Sequence, residues 1–440
     1  MQIQIPPQVE TVLQKLTVSG FEAYVVGGCV RDSILGLEPN DWDVTTSAPP
    51  EETERIFSGY PCVKTGIQHG TLTVLIDHRP VEVTTFRVDG QYSDNRHPDS
   101  VRFTRSLKDD LSRRDFTVNA LAYSNADGVI DCFGGMDDLK ARIIRCVGTP
   151  GLRFQEDGLR ILRALRFSSV LGFSPEPNTS AAILSNCGLL QQIARERIQS
   201  ELTRLLCGNP SEVLRKYRTV LEQIIPEFCF MTKLDEWEHT LKAVSSVEAT
   251  PALRLTTLLY HIRQSAPSEQ NRSEKESIDG SCSQNAEAVK AILLRLRYDN
   301  DTVKTVSELA GLQQLPLPAN ERSLLKLLHQ YGKKKLSLLF KLRDADLRAQ
   351  NPPDTRGLEE LKKAEAIFQS IFTRGLCYSL KDIQIKGSDL LSIGIPEGSE
   401  IGRMLSRLLS AVMDGKCLNR WEALLKYALQ LKEEYHDGNS

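Results

Sequence analysis

The strongest constraint on the fold is the uneven distribution of strand-like segments. Short segments rich in β-branched residues and separated by Gly, Pro, Asp or Asn lie in the first 150 residues: AYVVGG, DWDVTT, GTLTVLID, PVEVTTFRV and VIDCFGG. They predict a β-sheet, accompanied by helices at PQVETVLQKLTVSG and APPEETERIF. Beyond residue 150, strand signals nearly vanish and long amphipathic patterns take over. We therefore predict an α+β chain whose sheet is N-terminal and whose remainder is helical.

The composition is that of a globular protein. The 440 residues are 40% hydrophobic and 25% charged, and the net charge of −2 argues against indiscriminate nucleic-acid binding. No run approaches the ~18 apolar residues of a membrane span, and MQIQIPPQVE lacks signal-peptide features. We expect a cytoplasmic protein without a membrane partner, and its oligomeric state is not predicted. The ten cysteines form no CxxC pair, which predicts reduced thiols and no metal on sulfur.

One segment near the N-terminus combines residue types that bind nucleotide phosphates. In AYVVGGCVRDSILGLEPNDWDVTT, a strand leads through a glycine pair into a helix with Arg31, and a second strand carries Asp41 and Asp43. Gly28 permits close approach of a phosphate, and a helix start offers N–H groups to an anion. Two carboxylates at alternate strand positions point to one face and suit Mg²⁺. A simple turn and an exposed acidic pair are the alternatives for each half alone.

Two later segments add charged groups with two interpretations each. Glu82 in PVEVTTFR is either an outward-facing acid on a half-buried strand or a third metal-site carboxylate. DDLSRRDFTVNALAY places Arg114 beside Asp115 and Asn119. These residues either form ion pairs with the preceding acids or present arginine to a triphosphate and polar groups to a ribose.

The segment EDGLRILRALRF, which begins at Glu156, is predicted to be one amphipathic helix. At about 100° per residue, its leucines and isoleucine cover one side. Arg160 and Arg163 continue from Asp157 around the other side, and Arg166 lies on the boundary. On these residues alone, the charged side is either a solvated face of ion pairs or a surface that binds a polar ligand.

Five segments occur in a fixed order over roughly residues 21–207: GGCVRDSILG…DWD, RRDFTVNALA, DCFGGMDDLKARIIRCVG, EDGLRILRALRF and ERIQSEL. Together they resemble the class II tRNA nucleotidyltransferases, which are the CCA-adding enzymes and bacterial poly(A) polymerases of the polymerase-beta superfamily. The segment IKGSDLLSIGIPEGSEIGRMLSRLLSAVMDGKCLNRWEAL is similar to the C-terminal part of bacterial CCA-adding enzymes. The resemblance implies a polymerase-beta-like nucleotidyltransferase head with a small mixed β-sheet, followed by an all-α neck, body and tail.

The implied domains follow one another along the chain. The catalytic head is expected at residues 1–150, and a helical neck with the nucleotide-selecting helix at 151–225. A helical body is expected at 226–350 and a helical tail that binds tRNA at 351–440.

The body region is similar to the HD phosphohydrolase unit of many relatives, but it is degenerate. EHTLKAV keeps His239, whereas LTTLLYHIRQ has Tyr260 and His261 where an adjacent His-Asp pair would stand. We therefore predict no metal phosphatase, and packing or surface roles for the two histidines. The polar stretch SEQNRSEKESIDGSCSQN predicts a mobile loop at about residues 266–286.

The resemblance also implies the chemistry. Asp41 and Asp43 would hold two Mg²⁺ ions, one lowering the pKa of the tRNA 3′-hydroxyl and the other neutralising triphosphate charge. The hydroxyl would attack the α-phosphorus of CTP or ATP, and pyrophosphate would leave. The further residues assigned are Glu82 as a third catalytic carboxylate, and Gly28, Arg31 and Arg114 at the nucleotide.

Asp157 and Arg160 would read the base. Cytosine and adenine each present an exocyclic amine beside a ring acceptor, which a carboxylate next to a guanidinium complements. Uracil and guanine reverse this pattern. Arg163 and Arg166 would lie toward the phosphates or support the helix. Base selection would then need no nucleic-acid template.

Members of this family add CCA, CC alone, A alone or poly(A). VDGQYSDNRHPDSVRFTRSLKDDL resembles the flexible loop of members that add A, and TGIQHGTLTVLI resembles the CCA-adding branch. We therefore predict CCA addition to the tRNA 3′ end from CTP and ATP. A-only addition and poly(A) synthesis are the alternatives within the family. A non-catalytic RNA-binding protein that retains the fold is the alternative of another class.

Overall fold

The computed structural model describes residues 2–64, 66–90, 100–231, 233–262, 278–313, 315–316, 318 and 320–437. The chain divides into two compact units. Unit 1 comprises Met1–Phe230 and Arg295–Tyr298, and unit 2 comprises Met231–Leu294 and Asp299–Ser440. Across the described ranges, every helix is too short or too polar to cross a membrane.

Unit 1 is built on a mixed β-sheet. Its strands are β1 (Ala23–Val26), β2 (Asp43–Thr46), β3 (Cys62–Val63), β4 (Thr71–Ile76), β5 (Arg79–Thr85), β6 (Arg87–Asp89), β7 (Val101–Phe103), β8 (Leu121–Ser124), β9 (Gly128–Asp131), β10 (Ile143–Ile144) and β11 (Ser174–Pro175). Seven of them form one sheet in the order β3-β4-β5-β2-β1-β8-β9. β2 and β5 are parallel, and the other neighbours in this sheet are antiparallel. The predicted N-terminal sheet is confirmed.

The register between β2 and β5 brings two acidic residues together. Asp43 is the partner of Glu82, and Val44 is the partner of Val83. Side chains at one register position of neighbouring strands point to the same face. Asp43 and Glu82 therefore share a face of the sheet, while Val44 and Val83 are buried in the core.

Asp41 does not lie on a strand. β2 begins at Asp43, which pairs with Val26 at the end of β1. The chain leaves β1 at Gly27, so β1 provides no ladder partner for Asp41. The prediction that Asp41 lies on the strand is therefore wrong, since this residue lies in the connection before β2.

The described part of unit 1 contains the α-helices α1 (Pro7–Val18), α2 (Gly28–Ile34), α3 (Pro50–Ile56), α4 (Leu107–Ser112), α5 (Gly135–Ala141), α6 (Pro150–Glu156), α7 (Leu159–Leu171), α8 (Pro177–Asn186), α9 (Arg195–Leu206), α10 (Ser211–Lys216) and α11 (Arg218–Ile224). α1 buries Val12 and Leu16 at helical spacing. The chain after α1 turns at Gly20, whose φ of 86° favours glycine and matches the predicted helix end.

The segment that begins at Glu156 is two helices rather than one. α6 ends at Glu156, and Asp157 is extended, with φ −144° and ψ 103°. Oδ1 of Asp157 accepts a hydrogen bond from the N–H of Leu159 at 3.0 Å, so the aspartate caps α7. A Cβ at Gly158 would lie 3.0 Å from Cβ of Leu189, so a larger residue at this position would require Leu189 to shift by a few tenths of an ångström. The prediction of one continuous helix is wrong because a local cap competes with helix continuation.

Unit 2 is helical throughout its described part. Its helices are α12 (Leu234–Ser246), α13 (Pro251–Leu259), α14 (Ile278–Arg295), α15 (Asn300–Leu312), α16 (Glu321–Ala349), α17 (Thr355–Thr373), α18 (Gly387–Ser392), α19 (Ser399–Met413) and α20 (Trp421–Asp437). α16 is kinked at Gly332, whose φ is 78°. Buried leucines of α16, such as Leu324 and Leu336, pack in one core with Leu361 and Phe368 of α17. The predicted all-helical C-terminal part is confirmed.

Both predicted loops lie partly outside the described residues. Residues 91–99 of one and 266–277 of the other are not described. Described flanks of the first loop form β6, β7 and α4 rather than loop. From Ile278 onward the predicted loop at 266–286 is helix α14, so that part of the prediction is wrong. The buried Asn285 ties α14 to the Tyr260 carbonyl at 2.7 Å, a tertiary contact that polar composition does not reveal.

Candidate active site

A cavity of about 290 Å³ opens in unit 1 beside β2, α2, α7 and α9. Its lining is dominated by charged groups: Gly27, Gly28, Cys29, Arg31, Asp32, Asn40, Asp41, Asp43, Arg114, Asp115, Asn119, Arg163, Arg166, Phe167 and Arg204. Five arginines therefore face four aspartates across one small space. Such a lining suits a ligand that carries both anionic groups and bound cations.

The glycine pair after β1 brings backbone close to the cavity. Gly27 has φ 84° and ψ −129°, a conformation that favours glycine. A Cβ at Gly27 would also lie 2.9 Å from Nη1 of Arg114. At Gly28, a Cβ would meet only Nη2 of Arg31, at an ordinary 3.7 Å. The strict requirement for glycine therefore lies at Gly27, one residue before the glycine that the sequence analysis selected.

Acidic groups gather at the start of β2. Asp41 and Asp43 both line the cavity, and Glu82 lies beside Asp43 on β5 without lining it. Desolvation by the surrounding protein raises the pKa of Asp43, although part of this residue is exposed. The charges of Glu82 and Asp41 raise this pKa further, and Arg114 opposes them. A divalent cation would relieve the repulsion, so this donor set fits a divalent metal.

A network of hydrogen bonds joins charged and amide side chains in the same cavity. Nη1 of Arg31 donates to Oδ1 of Asn119 at 2.5 Å. Nδ2 of Asn119 donates to Oδ1 of Asp115 at 3.0 Å, and Nε of Arg163 donates to Oδ2 of Asp115 at 2.7 Å. Burial opposes ionisation of Asp115, yet Arg163 and the bond from Asn119 lower its pKa to about 2. Both carboxylate oxygens of Asp115 therefore accept hydrogen bonds, and this carboxylate fixes the positions of Asn119 and Arg163.

Three guanidinium groups surround the ring of Phe167. The Cζ atoms of Arg166, Arg31 and Arg163 lie 4.0, 4.9 and 5.5 Å from the ring centroid. Nε of Arg166 also pairs with Oε2 of Glu201 on α9 at 2.7 Å. Burial lowers the pKa of Arg166 to about 10, and Glu201 opposes this shift. The aromatic face and the carboxylate together allow several cations to lie side by side.

Arg113 and Arg114 differ in surroundings although they are adjacent. Nη2 of Arg113 pairs with the buried Asp110 at 2.8 Å, and this ion pair has a structural role. Arg114 lies 3.6 Å from Asp110 and also lines the cavity. Burial is the largest influence on Arg114 and lowers its pKa, while Asp110 and Asp43 raise it. Arg113 thus forms an ion pair, whereas Arg114 both lies near Asp110 and faces the cavity, and its contact with a nucleotide stays a prediction.

Asp157 and Arg160 are joined through the backbone, where the N–H of Arg160 donates to the Asp157 carbonyl at 3.0 Å, but their side chains bind other groups. Both oxygens of Asp157 accept from Arg197 of α9, at 2.7 and 3.3 Å. The guanidinium of Arg160 binds Glu156, the Arg153 carbonyl at 3.1 Å and the Arg113 carbonyl at 3.0 Å. Neither residue lines the cavity. Their assignment to base selection stays a prediction.

The structure thus brings most of the predicted residues to one place. Those that line the cavity are Gly28, Arg31, Asp41, Asp43, Arg114, Arg163 and Arg166; those that do not are Glu82, Asp157 and Arg160. The sequence analysis did not single out Arg197, Glu201, Arg204 or Phe167. ERIQSEL contains Arg197 and Glu201, but its charges follow a helical period and appear in the sequence as a solvated face.

Family models match three stretches of the chain. The Poly A polymerase head domain matches residues 23–145, and a probable RNA and SrmB-binding site of polymerase A matches residues 172–231. A putative tRNA nucleotidyltransferase domain 2 matches residues 280–428.

Full-length similarities extend these matches. The chain is 33% identical to the CCA-adding enzyme of Leuconostoc mesenteroides over 431 residues, covering 98% of this chain and 97% of that protein. It is 34% identical to the CCA-adding enzyme of Ligilactobacillus salivarius over 440 residues, covering 96% of each. Among solved structures, the Bacillus stearothermophilus CCA-adding enzyme in complex with CTP aligns with a TM-score of 0.69 and 27% identity, over 99% of this chain and 100% of that chain.

Proposed function

The chain belongs to the family of CCA-adding enzymes, and on that premise we propose that it adds C, C and A to the 3′ end of tRNA from CTP and ATP. The observation that carries this proposal is the cavity in which Asp41 and Asp43 face arginines. Attack of the tRNA 3′-hydroxyl on the α-phosphorus of the nucleotide forms a phosphodiester bond and releases pyrophosphate. Membership of this family also implies a divalent metal requirement.

We propose that Asp41 and Asp43 hold two Mg²⁺ ions. When bound, such ions lower the pKa of the attacking hydroxyl and neutralise negative charge on the triphosphate. The raised pKa of Asp43 supports this assignment, since nearby carboxylates repel one another until a cation joins them. Glu82, directly beside Asp43 on β5, completes the acidic group as the third catalytic carboxylate.

The arginines of the cavity bind and orient the triphosphate. Gly27 and Gly28 let the backbone approach it, while Arg31 is held rigidly by Asn119 at 2.5 Å. Arg114 lies between Asp110 and the acidic group at β2. Arg163 and Arg166 present guanidinium groups from α7. Fixed donors of this kind stabilise charge at low reorganisation cost.

We propose that Asp157 and Arg160 select the base, and that Arg160 first gives up some of its hydrogen bonds within the protein. Nη1 of Arg160 must leave Glu156 and the Arg153 carbonyl before it donates to a cytosine or adenine ring nitrogen. Asp157, held by Arg197, then accepts from the exocyclic amine. If Arg160→Ala leaves the preference among the four nucleotides unaltered, this assignment is rejected.

The domain division of the chain is part of the proposal. The head at 1–150 contains the matched residues 23–145, and the neck at 151–225 contains most of the match at 172–231. The body at 226–350 and the tRNA-binding tail at 351–440 contain the match at 280–428. A tRNA substrate also agrees with the cytoplasmic location that the sequence predicts.

The test is extension of tRNA that lacks its terminal CCA. The protein is incubated with this tRNA, Mg²⁺, CTP and ATP, and the 3′ ends are sequenced. We expect ends that finish in CCA; unextended ends under every nucleotide mixture would reject the proposal. A parallel reaction with tRNA that ends in CC and ATP alone detects A addition, and extension of the first substrate only when CTP is present separates full CCA addition from A-only addition.

A catalytically inactive variant separates the enzyme from a non-catalytic RNA-binding protein. Asp41→Ala with Asp43→Ala removes both cavity carboxylates, and we expect tRNA binding without extension. Extension at the wild-type rate by this double variant would show that the cavity carboxylates are not the catalytic group.

A further inference from the structure

Unit 2 contains a second group of metal-ligating side chains, and the proposed reaction uses none of them. His239 lies on α12, His261 follows α13, and Asp346 lies on α16. One ligand atom from each residue can be chosen so that all lie within 4.8 Å of one another. We refer to these three residues as the body cluster. From the sequence, the two histidines are predicted to have packing or surface roles, and Asp346 has no predicted role.

The body cluster nearly has the dimensions of a metal site. Nε2 of His239 lies 2.7 Å from Oδ1 of Asp346, and Nε2 of His261 lies 3.8 Å from the same oxygen. Ligand atoms that are each ~2.1 Å from a first-row ion lie ~3–4 Å from one another. Separating His239 from Asp346 by a fraction of an ångström would therefore admit an ion. The side chain of His261 is 32% exposed, which leaves it room to turn.

The protein around the cluster orients Asp346. The hydroxyl of Tyr260 donates to Oδ1 of Asp346. Nε2 of His239 also forms a hydrogen bond with Oδ1 of Asp346, at 2.7 Å. A hydrogen bond to a ligating carboxylate is the common second layer of metal sites. The carboxylate of Asp346 is thus held between two imidazoles.

A cavity gives access to the cluster. Its volume is about 720 Å³, and all three cluster residues line it. The remaining charged lining residues are Asp235, Glu236, Glu238 and Lys242. Three carboxylates against one ammonium group make this entrance attractive to a cation. The open side also leaves coordination positions for water.

We propose that the body cluster binds one divalent transition-metal ion of the Zn²⁺ type through His239, His261 and Asp346. Two imidazoles and one carboxylate are a ligand set that binds such ions and leaves further positions open. Mg²⁺ prefers oxygen ligands and is served instead by the carboxylates of the cavity in unit 1. The two sites therefore take different metals.

The test measures Zn²⁺ binding by equilibrium dialysis of the full-length chain. Asp41→Asn with Asp43→Asn is used as the background, so that the cavity carboxylates of unit 1 do not contribute. We expect one Zn²⁺ per chain. We expect His261→Gln and Asp346→Asn each to weaken binding by at least ~100-fold, because each removes a ligand. Co²⁺ in place of Zn²⁺ should show the visible absorption of nitrogen-bound cobalt, and His261→Gln should abolish most of it.

His329→Ala is the matched control, since it removes an exposed imidazole from α16 outside the cluster. It should bind Zn²⁺ like the background protein. Zn²⁺ should also raise the melting temperature of the background protein but not that of His261→Gln in the same background, which addresses the case in which Asp346→Asn fails to fold. Equal Zn²⁺ affinity of His261→Gln and the background protein, or no binding by the background protein, would overturn the proposal. His261→Gln in the wild-type chain should add CCA at the wild-type rate.

Discussion

Two groups of acidic residues in unit 1 share one cavity but have opposite surroundings. Asp41 and Asp43 lie near another acid, Glu82, and the resulting repulsion contributes to the raised pKa of Asp43. Asp115 lies among arginine and asparagine donors, and its pKa falls to about 2. Residue type alone therefore does not indicate a role. Asp43, which lies near other carboxylates, is suited to bind a cation. Asp115, which is bound by Arg163, instead holds that arginine in place.

Five arginines line the cavity, and the same contrast explains why they do not all form ion pairs with Asp41 and Asp43. Asp115 and Glu201 bind Arg163 and Arg166, at 2.7 Å each. These ion pairs neutralise positive charge of Arg163 and Arg166 that would otherwise act on Asp41 and Asp43. The paired acids thus leave the carboxylates at β2 available to metal ions. The following predictions test this division, from the largest expected effect to the smallest.

Removal of divalent metal should separate the two groups most strongly. With EDTA in excess, we expect extension of tRNA lacking CCA to fall below detection, more than ~1000-fold, because the cavity carboxylates then have no cation. The melting temperature of an Asp115→Asn variant should differ from that of the wild type by the same amount with and without EDTA. Excess Mg²⁺ should restore extension. Undiminished extension in EDTA would place catalysis outside the acidic group.

Asp115→Asn should destabilise the chain. Arg163 then loses its nearer carboxylate, at 2.7 Å, and keeps only the more distant Glu201, at 3.7 Å. We expect a cost on the order of 3 kcal/mol in the free energy of unfolding. Denaturant unfolding measures this cost. The control is Asp137→Asn, since the Asp137 side chain is 87% exposed and pairs only with Lys140 at the surface; its change should stay below ~0.5 kcal/mol. Equal effects of the two substitutions would contradict a structural role for Asp115.

The pH dependence of stability should have opposite signs for the two groups. The folded-state pKa of Asp115 is about 2, against an ordinary value of 3.8 for an aspartate, so Asp115 contributes roughly 2 kcal/mol above pH 3.8. This contribution should disappear as the pH falls toward about 2. The pKa of Asp43 is raised, so its protonated form is favoured on folding and this stabilisation is lost as pH rises through the raised value.

Denaturant unfolding at several pH values tests this sign difference. At pH 7, the free energy of unfolding of Asp115→Asn should be lower than that of the wild type. At a pH near 2, the two values should be nearly equal. Asp43→Asn should become relatively more stable as the pH rises. Parallel profiles for the two variants would show that their surroundings do not differ as described.

Arg197→Ala should have the smallest effect. It frees Asp157 from a two-point contact at 2.7 and 3.3 Å, and discrimination of CTP against UTP should fall ~10-fold, about 1.4 kcal/mol. Competition between the two nucleotides in the extension reaction measures this ratio. Arg195→Ala, on the same helix, is the control and should leave the ratio unchanged. An unchanged ratio for Arg197→Ala would remove Asp157 from base selection.

Local patterns predicted the sheet and much of the cavity because both depend on neighbouring residues. β-branched segments separated by turn residues gave β1, β2, β4, β5 and β9, and the glycine pair with Arg31 lies where the sequence placed it. Strand alternation gave the wrong position for Asp41, since strand length depends on the partner strand β1.

Long-range contacts account for what the sequence did not reveal. Asp157 interrupts a helical pattern because it caps α7 and binds Arg197, which lies 40 residues further along the chain. Asp346 meets His239 across 107 residues. Without tertiary structure, each of these acids belongs to an ordinary amphipathic pattern. Pairing across such separations is set by helix packing rather than by local sequence.

The most direct test of the division between the two groups is 3′-end sequencing of tRNA lacking CCA after incubation with wild-type and Asp43→Asn protein of equal folded fraction. The account predicts CCA ends with the wild type and unextended ends with Asp43→Asn, whose melting temperature should equal or exceed that of the wild type. Completed CCA ends at the wild-type rate with Asp43→Asn would contradict it.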